Sequence, residues 1–311
     1  MLRLFQLKLL SNLKILCCLF LLLVSFITIA SAAKDTPVYG KDDVIFGGIE
    51  EQQGSKPFGR VLDAGTGRYS LRWLSTLTEN KGMTSLTAIT ADDKMLQSIK
   101  PLVEKLGIQD ITSLVIGNWF GTSEPIVSTD QDNDEMLFDT IVADYLIGAM
   151  DGFSPYKQDQ MIPLLTNYLK PGGRLYIVGM EPIPDSAEGD ADIICQVRRA
   201  RDACLLLAGQ RPYREYPLTW ITRQVARTEG LQFLQAGEYP IRHSGNFIVR
   251  QINNGRRWLK LIKPKELENE MKNLLDGLEK KAKKATNDGK IELSFNYVVS
   301  AIKLEEVVVD I

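Results

Sequence analysis

The chain has 311 residues, of which 44% are hydrophobic and 24% charged, the balance of a folded globular protein. Its net charge is −2. The first 32 residues hold Arg3, Lys8 and Lys14 and no acid, so 34 basic and 39 acidic residues remain beyond them. A mildly acidic domain carries no nucleic-acid footprint, and nucleic acid is not expected as a partner.

The N-terminus reads as a targeting segment. Arg3, Lys8 and Lys14 form a positive flank, residues 15–33 carry no charge, and Leu19 to Val24 is an unbroken apolar run. Ala30-Ser31-Ala32 offers small residues for cleavage. Two readings stand: a cleaved signal peptide, or a retained anchor, since about 19 apolar residues just span a bilayer. Both place the domain in the secretory pathway, lumenal or extracellular, with membrane contact only through residues 15–33 if they are uncleaved. Beyond Cys17 and Cys18 only Cys195 and Cys204 remain, nine residues apart on one helical pattern and unable to meet. No Asn-x-Ser/Thr sequon occurs.

Residues 34–57, with several glycines and prolines, read as an irregular lead-in. Strand and helix patterns then alternate. Strands are expected at Arg60–Asp63, Ser85–Thr90, Ile111–Ile116, Phe138–Ala143 and Arg174–Val178. Helices are expected at Leu71–Thr78, Lys94–Leu106 and Gln158–Leu169, and Thr122–Glu135 reads as a surface loop. This alternation gives βαβ units and a mostly parallel sheet. Helical insertions follow, about 185–230 and 255–288, containing the helical patterns Ala191–Leu207, Leu218–Glu229 and Pro264–Thr286. On the last of these Leu267, Met271, Leu274, Leu275, Leu278 and Ala282 share a face. Leu231–Phe233 and Glu238–Ile241 offer a sixth strand, and Ile291–Lys303 closes the chain as a long one.

The chemistry centres on Val61-Leu62-Asp63-Ala64-Gly65-Thr66-Gly67. Glycines after the first strand allow a sharp turn and close backbone approach to a ligand, and the next helix presents free N–H groups. Ser70 occupies the place of the third glycine of the dinucleotide pattern, which disfavours a pyrophosphate site. Phe138-Asp139-Thr140-Ile141-Val142-Ala143-Asp144-Tyr145 and Leu169-Lys170-Pro171-Gly172-Gly173-Arg174-Leu175 follow in order.

Together these segments resemble motif I, the strand-four motif and the L-K-P-G-G turn of class I S-adenosylmethionine (SAM) dependent methyltransferases. The resemblance runs over about residues 58–180 and continues weakly to the end. It implies an α/β, doubly wound, mostly parallel seven-stranded sheet over 58–311, with helices on both faces and an antiparallel last strand. It also implies SAM as cofactor and methyl transfer to a small-molecule or protein acceptor. Asp63, Gly65 and Gly67 would lie against the methionine part of SAM, with Thr66 in the same loop. The family ends strand two with an acid on the ribose; here Thr90 stands there, so either Asp92 reaches the ribose or Thr90 binds it through its hydroxyl. Asn118 fits the adenine amino group, and Trp119 either stacks on the ring or belongs to the core. Asp144 and Tyr145 end strand four, where methyl transfer occurs.

His243, the single histidine, is a candidate general base or a structural residue. Arg198, Arg199, Arg201, Arg211 and Arg214, with Tyr213 and Tyr216, either bind an anionic substrate or form a salt-bridged face. No metal-ligand set is read. Asp144-Tyr145-Leu146-Ile147 lacks the Asn/Asp-Pro-Pro-Tyr/Phe signature of enzymes that methylate nucleic-acid amino groups and glutamine. Two alternatives remain: a non-catalytic binding module of the same fold, motivated by Ser70 and Thr90, and an NAD(P)-dependent oxidoreductase, which the missing glycine opposes.

Overall fold

The computed structural model describes residues 43–121, 126–127 and 137–305. The apolar segment 15–33 lies outside these residues, as does most of the polar stretch expected as a surface loop. No helix among the described residues is long and apolar enough to cross a membrane.

The first element corrects the reading of 34–57 as irregular. Helix α1 spans Asp43–Gln53 despite Gly47 and Gly48. Its inner face, Ile45, Phe46 and Ile49, is buried, and Phe46 stacks on Trp73 with ring centroids 4.8 Å apart. A Cβ at Gly48 would lie 1.8 Å from Tyr239 Oη, so this glycine serves close packing rather than a turn. Tyr176 Oη donates to Gln53 Oε1 at 2.6 Å, fixing the helix end.

The chain then runs β1 (Gly59–Asp63), α2 (Arg68–Leu74), α3 (Leu77–Asn80), β2 (Met83–Thr90), α4 (Asp93–Lys105), β3 (Thr112–Ile116) and β4 (Phe138–Asp144). After it come α5 (Leu146–Ala149), α6 (Gln158–Asn167), β5 (Leu169–Met180), α7 (Asp192–Leu207) and α8 (Leu218–Arg227). The chain closes with β6 (Leu231–His243), α9 (Gly245–Arg256), α10 (Lys265–Ala285) and β7 (Ile291–Lys303). One seven-stranded sheet results, in the order β3-β2-β1-β4-β5-β7-β6. The pairings among β1 to β5 are parallel, and β7 runs antiparallel to both neighbours. Central strands read as continuous apolar runs because both faces are covered: Val61 and Leu62, and Ile141, Val142 and Ala143, are all buried.

Some boundaries differ from the sequence reading. The helix expected at 71–78 is two short helices. Pro171-Gly172-Gly173 lies inside β5 as an irregularity, where pairing jumps from Phe138↔Leu169 to Thr140↔Arg174. Strand β6 is continuous, with register shifts beside Phe233 and Pro240; as the edge strand it tolerates a proline without a ladder N–H.

Helices α7, α9 and α10 enclose a second core of Ile194, Val197, Ile252, Leu275 and Leu278. Helix α9 escapes the periodicity reading. Leu274, expected on the apolar face of α10, is instead 47% exposed. Cys195 and Cys204 are free and buried on α7.

Candidate active site

Strand β1 pairs with β2 on one side and β4 on the other, so its carboxyl end is where the strand order reverses. Ligands of open α/β sheets sit at that point. The turn there is locked by both neighbours: Ala64 N donates to Val142 O at 2.9 Å and Thr66 N to Ile89 O at 2.7 Å. Ser70 completes the turn, accepting Gly67 N–H at 3.0 Å and donating to Asp63 Oδ2 at 2.8 Å. Asp63 is fully buried, and burial pushes its pKa up to about 6, against the pull of the Thr66 and Ser70 hydroxyls and the Gly65 N–H. Of these, Ser70 makes the well-formed side-chain hydrogen bond. Asp63 Oδ1 and Thr66 Oγ1 are buried without a hydrogen-bond partner.

Above the turn opens a cleft of about 220 Å³. A single water occupies about 30 Å³, so this is space for an organic ligand. Its floor is Ala64, Gly65 and Thr66. One wall carries Ile89, Thr90, Asp92 and Met95 from β2 and α4, another Asn118, Trp119 and Phe120 after β3, and a third Asp144, Leu146, Ala149 and Met150.

On the first wall, Asp92 caps α4 by accepting Lys94 N–H at Oδ1 (2.8 Å), and its own N–H donates to Thr90 Oγ1 at 3.2 Å. Capping uses one carboxylate oxygen of Asp92; Oδ2 has no bond in this cap. On the second wall, Asn118 is engaged within the protein. Its Nδ2 donates to Phe153 O at 2.8 Å, and its Oδ1 accepts from Ser154 Oγ at 2.7 Å. Trp119 Nε1 donates to Ala64 O at 2.7 Å, and its ring meets Tyr168 edge-on at 5.6 Å. Trp119 therefore belongs both to the cleft and to the packing that holds the glycine turn.

Of the residues singled out in the sequence, Gly65, Thr66, Thr90, Asp92, Asn118, Trp119 and Asp144 converge on this cleft. Asp63 and Gly67 shape the turn from behind. Tyr145 does not line the cleft: it caps α5 with φ 48°, and its hydroxyl donates to Asn296 Oδ1 at 2.8 Å. Nor does His243, buried at the end of edge strand β6 with Nε2 3.0 Å from Leu293 O and its pKa lowered by burial. Arg198 pairs with Asp185 at 2.8 Å and Arg201 with Asp202 at 2.7 Å, away from the cleft lining. Phe153, Ser154 and Met161 line the cleft but carry no motif that the sequence could disclose; Tyr213, named in the sequence beside Arg211 and Arg214, lines it as well. No cluster of His, Cys, Asp or Glu able to hold a metal occurs among the described residues.

No family model and no curated protein matches the sequence. Solved structures do match. The YcgJ protein of Bacillus subtilis is 18% identical, with TM-score 0.50, over 84% of this chain and 98% of its own. A Bacillus halodurans protein assigned as a methyltransferase is 12% identical, with TM-score 0.52, over 86% of this chain and 100% of its own. A SAM-dependent methyltransferase from Thiobacillus denitrificans, solved with S-adenosyl-L-homocysteine, is 17% identical, with TM-score 0.46, over 88% and 95%. At these identities the likeness is one of fold: the chain has the seven-stranded, mostly parallel α/β fold of the class I SAM-dependent methyltransferases.

Proposed function

We propose that the chain is a SAM-dependent methyltransferase acting on a small-molecule or protein acceptor. The observation that carries this reading is the convergence on one cleft of the glycine turn, the Thr90–Asp92 pair, Trp119 and Asp144. The residues suit the cofactor's parts. Thr90 and Asp92 supply a polar edge for ribose hydroxyls, Ile89, Met95 and Phe120 an apolar wall for the base, and the 64–67 turn a backbone surface for the methionine portion. A Cβ at Gly65 would lie 3.0 Å from Leu146 Cδ1, so a side chain there would crowd this floor.

SAM, when bound, supplies an already activated methyl group. The protein's task is then to align the acceptor and exclude water, which requires no catalytic triad. Asp144 is the carboxylate at the β4 end of the cleft, and we assign it to that alignment. Asp144-Tyr145-Leu146-Ile147 supports an acceptor other than a nucleic-acid amino group or glutamine. Residues 15–33 support delivery to the secretory pathway, and N-terminal sequencing of the mature protein tests cleavage after Ala32.

Calorimetric titration of the full chain with SAM, and with NAD as control, tests the cofactor. Binding on the order of micromolar for SAM and none for NAD is expected. A folded protein that binds neither is a non-catalytic module, and the proposal fails.

A further inference from the structure

Aromatic side chains rim the open end of the cleft. Phe153 and Tyr213 line it yet are 42% and 56% exposed, and Tyr156 is 81% exposed. They come from two segments, one after α5 and one before α8, that meet at the mouth. The Arg211 guanidinium lies 5.2 Å over the Tyr156 ring, and a Cβ at Gly152 would lie 2.9 Å from Tyr213 Cε1. The rim is exposed but held in place. Asn118 grips both the Phe153 carbonyl and the Ser154 hydroxyl. Solvent-facing aromatics clustered at a cleft gain little for folding and mark contact with a ligand.

Arg198 and Arg201 of α7 are ion-paired, whereas Arg199 of the same helix and Arg211 and Arg214, which flank Tyr213, have no ion pair among the described residues. Of the neighbouring acids, burial pushes Glu215 up to about 7, and Asp151 is buried with Oδ1 accepting from Gln158 Nε2 at 3.1 Å.

We propose that this rim is the acceptor subsite and takes a planar aromatic molecule bearing a carboxylate, with the ring against Tyr213 and Phe153 and the anion on Arg211. The assignment rests on the methyltransferase reading for its meaning but is tested apart from it. Tyrosine and phenylalanine offer flat faces to a ring, and a guanidinium offers a fork to a carboxylate.

The test uses the full chain with saturating S-adenosyl-L-homocysteine and three calorimetric probes: 1-hydroxy-2-naphthoate, 1-aminomethyl-2-naphthol and cyclohexanecarboxylate. The naphthoate binds, and the amine and the saturated acid bind at least about tenfold more weakly. Tyr213→Ala weakens the naphthoate about tenfold and Tyr213→Phe restores it. Arg211→Gln weakens it about tenfold while the S-adenosyl-L-homocysteine affinity holds within about threefold. Arg223→Gln, on the exposed face of α8, serves as the control that leaves all affinities unchanged. Equal binding of the amine, or indifference to Arg211→Gln, overturns the subsite. A fall in S-adenosyl-L-homocysteine affinity in Arg211→Gln reassigns the arginine to the cofactor and also overturns it. If the naphthoate binds a protein that ignores S-adenosyl-L-homocysteine, the subsite stands and the cofactor reading falls. If the naphthoate fails on a protein that binds S-adenosyl-L-homocysteine, the reverse holds.

Discussion

The Ser70 hydroxyl donates to Asp63 Oδ2 at 2.8 Å, joining the start of α2 to the end of β1 beneath the glycine turn. The same oxygen accepts Gly67 N–H, so one side chain ties together three parts of the loop. A glycine at this position allows close helix–strand packing around a pyrophosphate. Here a hydroxyl fills that space and organises a buried carboxylate instead.

Ser70→Ala therefore removes two hydrogen bonds, one of them to a buried acid. A loss of roughly 1–3 kcal/mol is expected, because Asp63 is left without its well-formed partner. Ser70→Gly, which restores the dinucleotide pattern, does no better. Urea denaturation at pH 7 measures both, and unchanged midpoints would remove Ser70 from this role.

Asp63 also predicts an unusual pH dependence. Its folded-state pKa is about 6 against 3.8 for the exposed group, so the folded state holds the proton longer. The stability from this group is complete below about pH 4 and is lost as pH rises through 6, by about 3 kcal/mol for a shift of this size. Asp63→Asn keeps the shape and the oxygen facing Ser70 but carries no charge. The stability difference between variant and wild type should move in the variant's favour between pH 4 and 7. A difference that stays flat across that window would place the Asp63 pKa near its ordinary value.

Asp92 caps α4 and, on the proposed function, holds a ribose hydroxyl, two tasks that substitution separates. Asparagine caps a helix about as well as aspartate, whereas alanine gives up roughly 1 kcal/mol. Asp92→Asn should therefore unfold at the wild-type temperature yet bind SAM about tenfold more weakly, the size expected for losing a charged hydrogen-bond acceptor. Asp92→Ala should lose both. Wild-type SAM affinity in Asp92→Asn would leave the ribose to Thr90.

These two cases show what the sequence discloses. Strands β1 and β4 and the glycine turn are legible because a buried parallel strand must be an unbroken apolar run, and the turn must be small. Helix α1 is hidden because Gly48, which lowers helix propensity, is required by Tyr239, a residue 191 positions away. Helix α9 is hidden for a like reason: a Cβ at Gly255 would lie 3.3 Å from Arg201 Cα on α7. Tyr145 and His243 look chemical by type, yet their partners, Asn296 and Leu293, both come from the last strand, β7. Phe153 and Tyr213 gain their position from segments whose meeting no periodicity encodes.

Trp119 lines the cleft and is placed to report a ligand that enters it. It is partly buried in the cleft wall, and its indole N–H holds the Ala64 carbonyl at 2.7 Å. SAM should quench the intrinsic fluorescence of the wild type, and Trp119→Phe should abolish the quenching. Loss of the indole bond should also lower stability by about 1 kcal/mol. Quenching that persists in the variant would trace the signal to another tryptophan.

Gly148→Ala sets two effects against each other. Within a helix such as α5, alanine is favoured over glycine by about 1 kcal/mol. The added Cβ, however, would lie 2.9 Å from Glu215 Oε2 and 3.0 Å from Arg214 O. A carboxylate can swing aside, but a backbone carbonyl moves only with its chain. Overpacking of this kind costs about 1–3 kcal/mol, which exceeds the propensity gain. The variant should thus be less stable, and the displaced 213–215 segment should carry Tyr213 off the rim and weaken naphthoate binding. Thermal unfolding and calorimetry read the two effects separately. A more stable Gly148→Ala protein with intact naphthoate affinity would mean that this segment yields freely and that Gly148 does not set its position.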